Sequence, residues 1–192
     1  MNIERVKNIL LQPAAEWQKI AAEPADVRSL YADYAVILAA VPAVAGFIGS
    51  AIVGYTVPFA GTTVRTPIVT ALGYAVSEYI LSLIGVYLVG LLVDMLAPTF
   101  GGERNPLNAL KLTIYSSTAG WLAGVFAILP GLHMLGILGL YGAFLFYTGV
   151  PVLMKCPAEK AAAYTVVSII AGVVVFGVVG MLGGGMGRFP MH

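Results

Sequence analysis

Five apolar runs dictate what this chain can become. They lie at Leu30 to Gly54, Ile68 to Ala97, Pro106 to Leu129, Met134 to Met154 and Ala161 to Gly183. A helix needs roughly 20 residues to cross about 30 Å of hydrocarbon at ~1.5 Å per residue, and each run supplies them. The runs are continuous and lack the alternation of a membrane barrel strand. Only 10% of the residues are charged, against about 25% in soluble domains, so the chain has too few charges to cover a water-facing surface. The fold class expected is all-α: a polytopic membrane protein of five transmembrane helices behind an N-terminal amphipathic interfacial helix. Its divisions are 1–28 for the interfacial segment, 29–185 for the membrane domain and 186–192 for a short outer tail.

The segment before the first run carries Ile3, Val6, Ile9, Leu10, Ala14, Trp17 and Ile20 at helical spacing, with Arg5, Glu16, Lys19 and Glu23 mostly on other faces. Pro13 begins a second helical piece or marks a bend. The pattern predicts a helix lying in the membrane interface with Trp17 at headgroup level; the alternative is a short helix docked on the protein's own loops. Met1 to Glu23 has neither the apolar core nor the cleavage site of a signal peptide, so it is read as part of the mature protein.

Lysines and arginines set the orientation. Arg5, Lys7, Lys19 and Arg28 precede the first run, Arg104 and Lys111 are assigned between the second and third, and Lys155 and Lys160 lie between the fourth and fifth. With five crossings these eight share a side, leaving Arg65 and Arg188 on the other, which predicts a cytoplasmic N-terminus and an outer C-terminus. Pro58 and Pro67 bracket the first loop, Asn105-Pro106 reads as a cap and first helical position, and Pro130-Gly131-Leu132-His133 is short enough for a tight antiparallel hairpin.

Within the runs, Gly46, Ser50 and Gly54 recur every four residues, as do Gly120 and Gly124, and Gly180 and Gly184. Such faces are expected to carry helix packing. Pro42 and Pro151 are expected to kink their helices. Glu78, about ten residues into the second run, is expected near mid-membrane; there a carboxylate costs on the order of 3 kcal/mol, so it should face the bundle interior with partners or be protonated. Candidate partners are Tyr74 one turn away and the polar cluster Tyr115, Ser116, Ser117 and Thr118. Asp94, near the cytoplasmic end, can reach water or pair with Arg104 or Lys111.

Catalytic chemistry finds no constellation in the sequence. His133, His192 and the single cysteine, Cys156, fall at different surfaces in the five-span threading, so no Cys/His metal cluster or dyad is expected. Gly183-Gly184-Gly185 and Gly101-Gly102 lack the lysine of a phosphate loop. A net charge of +1 gives no basic face for nucleic acid. No cofactor is expected.

Two motifs carry most of a resemblance, and a third stretch adds to it. Leu11-Gln12-Pro13-Ala14-Ala15-Glu16-Trp17-Gln18-Lys19-Ile20 resembles the Leu-x-Pro-x-x-x-Trp-x-x-Ile segment of prokaryotic Yip1-domain proteins. Gly101-Gly102-Glu103-Arg104-Asn105-Pro106 and the following Ala109 to Thr118 resemble the glycine-pair loop and the tyrosine-containing third span of that family. Phe146-Tyr147-Thr148-Gly149-Val150-Pro151 is similar to the fourth span of its YohC-like inner-membrane branch. Ala119 departs from the proline often found there. The resemblance implies five spans with a cytosolic N-terminus in a prokaryotic plasma membrane. Eukaryotic members act in vesicle traffic with Rab GTPases, but the brief loops and the Ala/Gly richness of this chain do not favour such a partner.

The first functional reading is a non-enzymatic protein that organises or remodels the bilayer and other membrane proteins, with lipid, a second copy or other membrane proteins as partners. The second is a small proton- or cation-coupled transporter or channel working through Glu78.

Overall fold

The computed structural model describes residues 3–56 and 62–186, without the side chains of Pro130, His133 and residues 182–186. Pro58, Arg188 and His192 lie outside the described residues. The architecture is all-α apart from a two-stranded hairpin, β1 (Tyr55–Thr56) against β2 (Thr63–Val64).

Two short helices open the chain, α1 (Ile3–Leu11) and α2 (Pro13–Ala22). Pro13 occupies the first turn of α2, where its missing N–H would have no intrahelical partner, and Gln12 breaks from helical geometry to start the second piece. Asp26 caps α3 (Val27–Leu30) by accepting from Ser29 N at 2.8 Å, while Ser29 Oγ accepts from Asp26 N. The helix then runs on through a widened π turn at Tyr31–Ala35, α4 (Val36–Phe47, with Pro42 inside) and a second π turn at Ile48–Val53. Gly54, at φ +83, ends it in a conformation that suits glycine.

Next come α5 (Ile68–Leu96) and a tight 3-10 turn, Ala97–Phe100, closed by Gly101 at φ +74. The third predicted crossing is interrupted: α6 (Pro106–Ser116) and α7 (Thr118–Ala123) are separated at Ser117, and the chain continues as a 3-10 turn over Gly124–Ile128. Three hydroxyls cluster at the break, where Thr113, Ser117 and Thr118 donate to carbonyls three or four residues back. A 3-10 segment, Pro130–Leu140, occupies the place of the expected tight hairpin and leads into α8 (Tyr141–Leu153). The chain's last described helix is α9 (Ala158–Met186). Among the described residues, four helices are long and apolar enough to cross a membrane: Val27–Val53, Ile68–Phe100, Met134–Leu153 and Ala158–Met181.

Two buried clusters meet around α6. One joins α2, α5, α6, α8 and α9 through Trp17, Val93, Leu112, Leu145 and Tyr164. The other joins the helix over 27–47 to α5, α6 and α7 through Leu38, Val86, Ile114 and Trp121. The closest approach between α4's end and the 124–128 turn is at Gly49, where a Cβ would stand 2.0 Å from the Ala127 carbonyl oxygen, and at Gly124, where it would stand 2.5 Å from Pro42 Cβ. The predicted seam of Gly46, Ser50 and Gly54 is not such a contact. Gly46 faces Glu78 at ordinary distance, Ser50 donates to the Gly46 carbonyl of its own helix at 2.8 Å, and Gly54 terminates the helix. Gly120 and Gly180 face open space, although Gly139 approaches the Gly120 Cα.

Candidate functional site

The two motifs that carry the resemblance meet in space. Trp17 of the first and Tyr115 of the second pack edge to face with ring centroids 6.4 Å apart, and Tyr34 also packs edge to face on Tyr115, at 4.7 Å. Tyr34 and Thr118 share a hydrogen bond of 2.8 Å. Ninety-eight residues of chain separate Trp17 from Tyr115, so the contact is a product of the fold.

Trp17 is 0% exposed, so its ring packs against protein and not against lipid headgroups. Its indole fills a notch between α6 and α8 at Gly149, where any Cβ would fall 2.6 Å from Leu112 Cδ1 and 2.7 Å from the Trp17 ring. Trp17 Nε1 donates to the Leu145 carbonyl and to Thr148 Oγ1, both at 3.1 Å. Ile9 and Ile20 are buried alongside. Only part of the apolar stripe covers the bundle: Ile3 and Ala14 are exposed, whereas Glu16, read on another face, is buried.

The rim of this seat is charged. Arg5 pairs with Glu23, and its Nη1 lies 2.8 Å from Glu16 Oε1, close enough for charge attraction though off the line of a hydrogen bond. The guanidinium also stands 5.9 Å from the Tyr115 ring centroid. Burial pulls the Arg5 pKa down, but the hydrogen bond and charge of Glu23, with the charge of Glu16, outweigh it and leave a net rise. Lys111, 3% exposed, donates from Nζ to the Ile20 and Glu23 carbonyls at 2.8 and 2.7 Å. Tyr141 donates to the Leu10 carbonyl at 2.8 Å. The bundle thus supplies donors to the orphan carbonyls at the ends of both arm helices, and the Lys111 ammonium sits at the negative end of α2. Arg5, Glu16, Tyr34 and Lys111 were not singled out as site residues from sequence. The one signal was a lysine five residues into a largely apolar run.

Below the arm, Asp94 Oδ2 accepts from Arg104 Nε at 3.0 Å and Nη2 at 2.8 Å. Glu103 pairs with Lys155 at 2.6 Å, and Glu103 N donates to the Met154 carbonyl at 2.8 Å. Gly102 permits that junction, since a Cβ there would lie 2.7 Å from the Met154 oxygen. The corner between α5 and α6 is therefore bolted to the corner between α8 and α9. Cys156 sits in the second corner, where burial pushes its thiol pKa up.

Glu78 does not join the third-run cluster. It is exposed on α5, with Oε2 3.6 Å from where a Gly46 Cβ would be, and has no hydrogen bond or ion pair among the described residues. Tyr74 is 55% exposed and does not bond it. Trp121, which donates to Ser82 at 3.1 Å one turn away, makes the cross-helix bond expected of Glu78. Among the other candidates, Thr118 engages Tyr34, Ser117 donates to the Thr113 carbonyl, and the buried Ser116 Oγ lacks a partner among the described residues. No group of three or more His, Cys, Asp or Glu side chains that could hold a metal occurs among the described residues.

A bundle of membrane-length helices with its N-terminal arm docked through Pro13-Trp17 and Tyr115-Thr118 defines a polytopic membrane protein of a particular kind. The Yip1 domain matches residues 7–179, and the chain belongs to that family. It is 24% identical to the inner membrane protein YohC of Escherichia coli K12 over 177 residues, 90% of each chain, and equally to YohC of the O6:H1 strain. No solved structure matches the chain.

Proposed function

We propose that this is a non-enzymatic protein of a prokaryotic inner membrane that organises membrane and membrane-protein partners, and that its lateral contact face is the side of α4 and α5 carrying Glu78. The chain crosses five times in this reading, the broken 106–128 segment being the third crossing, with the arm in the cytosol. The observation that carries it is a carboxyl group exposed on the outer face of a 29-residue apolar helix, without a partner among the described residues. Sixteen residues, about 24 Å of helix, separate Glu78 from the charged corner at Asp94, so it stays inside an apolar layer of about 30 Å, nearer the outer margin than the middle. A carboxyl left against lipid is costly; hydrogen-bonded to a polar group of an adjoining helix, it fixes lateral association. The groove beside it between α4 and α5, about 270 Å³, is lined by Ala43, Phe47, Val76 and Tyr79 and stops short of Glu78, which favours a contact face over a conduction path.

The test is cross-linking in native membranes. In a Cys156→Ala background, Val76→Cys should give disulfide-linked dimers or adducts with other membrane proteins, and Glu78→Leu should reduce their yield several-fold. If no adduct forms while proteoliposomes show an ion flux abolished by Glu78→Gln, the transporter reading replaces this one.

A further inference from the structure

A second region of the molecule carries chemistry that neither the arm nor Glu78 uses. Between α5, α6, α8 and α9 lies an open groove of about 410 Å³. Its walls are mostly apolar, with Val89, Phe146 and Phe176 among them, and Ser116 and Ser168 stand on facing helices. Those two serines are 6% and 2% exposed, and neither hydroxyl has a hydrogen-bond partner among the described residues.

The idleness of these hydroxyls is specific. Thr113, Ser117 and Thr165, close neighbours on the same two helices, donate to the carbonyl four residues back at 2.9, 2.8 and 2.8 Å. That is the default way for a hydroxyl to satisfy itself in an apolar medium. Ser116 and Ser168 forgo it and remain free donors where an unmade hydrogen bond is expensive. Both lie ten residues from the start of their helices, Pro106 and Ala158, and the Glu103–Lys155 pair holds those starts at one end of the bundle. Ten residues make about 15 Å, half the thickness of a hydrocarbon core of about 30 Å. The two hydroxyls therefore stand at matching distances along α6 and α9 from the paired corners.

From this groove and its two unused donors we infer that the protein holds a neutral, membrane-soluble ligand that presents carbonyl oxygens on an apolar ring, the chemistry of the membrane quinones. Charge is excluded by walls that offer no counter-ion. Each serine hydroxyl can donate to a carbonyl oxygen, and a para-quinone carries one such oxygen at each edge of its ring. The volume falls in the range of about 300–1,000 Å³ usual for small-molecule sites.

The experiment uses the full chain in lipid nanodiscs, photolabelled by an azido-ubiquinone analogue with decylubiquinone as competitor. Labelling should map to α6 and α9, and decylubiquinone should protect with saturation. Ser116→Ala and Ser168→Ala should each raise the half-protecting concentration about fivefold, the weight of one neutral hydrogen bond. Gly172 lines the groove and a Cβ there meets only Val89, at 3.7 Å; Gly172→Ala should bind normally and Gly172→Leu should block labelling. Equal protection by decylbenzene, which has no carbonyl, overturns the inference, as does unchanged protection in the two serine variants, whose removal of one oxygen leaves the backbone undisturbed.

Discussion

Trp17 and Lys111 each do a job different from the one their sequence neighbourhood suggests. Both are held by groups more than eighty residues away, so local pattern cannot reveal their partners. The helical spacing of Ile9, Trp17 and Ile20 is legible in the sequence, and these three are the buried members of the arm's stripe. What periodicity does not contain is the identity of the apolar medium, because lipid and protein satisfy a hydrophobic face equally well. Trp17→Ala should cost about 3–5 kcal/mol, measured by reversible unfolding in mixed micelles, through loss of a filled notch. Trp17→Phe keeps the ring volume in part but leaves the Leu145 carbonyl and Thr148 without their donor, and should cost about 1–3 kcal/mol. Lys111→Met should leave the bundle intact and accelerate amide exchange across residues 13–22, since the carbonyls ending α2 lose their cap. Unchanged exchange would mean that the ammonium is dispensable to the docked arm.

Among the elements, the apolar runs located every long helix to within a few residues, because a twenty-residue stretch of side chains that cannot face water leaves few alternatives. Their interruptions were less legible. The third run breaks at Ser117, amid hydroxyls of Thr113, Ser117 and Thr118 that turn back on their own backbone, a feature that no count of hydropathy registers. Spacing of small residues pointed to Gly46 when the tight crossing is at Gly49, since a π turn over Ile48–Val53 changes which residues face the neighbour. Gly49→Val should accordingly lower the thermal midpoint sharply, the obstacle being a backbone carbonyl that cannot rotate away, while Gly46→Ala should be tolerated. The cap at Asp26 predicts a pH signature. Hydrogen bonds from Ser29 hold its carboxyl below the usual range, so its contribution is complete above the unfolded value near about 4 and is lost as pH falls through the lower folded value. Fraying of residues 27–30 should therefore begin in acid, and Asp26→Asn should flatten that response in amide exchange.

On the scale of the whole molecule, basic residues gather by direct contact. Arg104 is tied to Asp94, Lys155 to Glu103, and Lys111 to the arm that carries Arg5 and Lys19, while Arg65 lies beside Gly54 at the opposite end of α5. Single cysteines replacing Arg104 and Lys155 should react with an impermeant thiol reagent from the same face of sealed vesicles, and one replacing Arg65 from the other. Labelling of positions 104 and 155 from opposite faces would break the five-crossing threading. The seat of Trp17 also orders events during synthesis. Residues 3–22 leave the ribosome before any wall of their notch exists, and Leu112, Leu145 and Gly149 must be inserted and packed first. The arm thus waits with its buried side uncovered, and its closure marks the moment when α6 and α8 have come together.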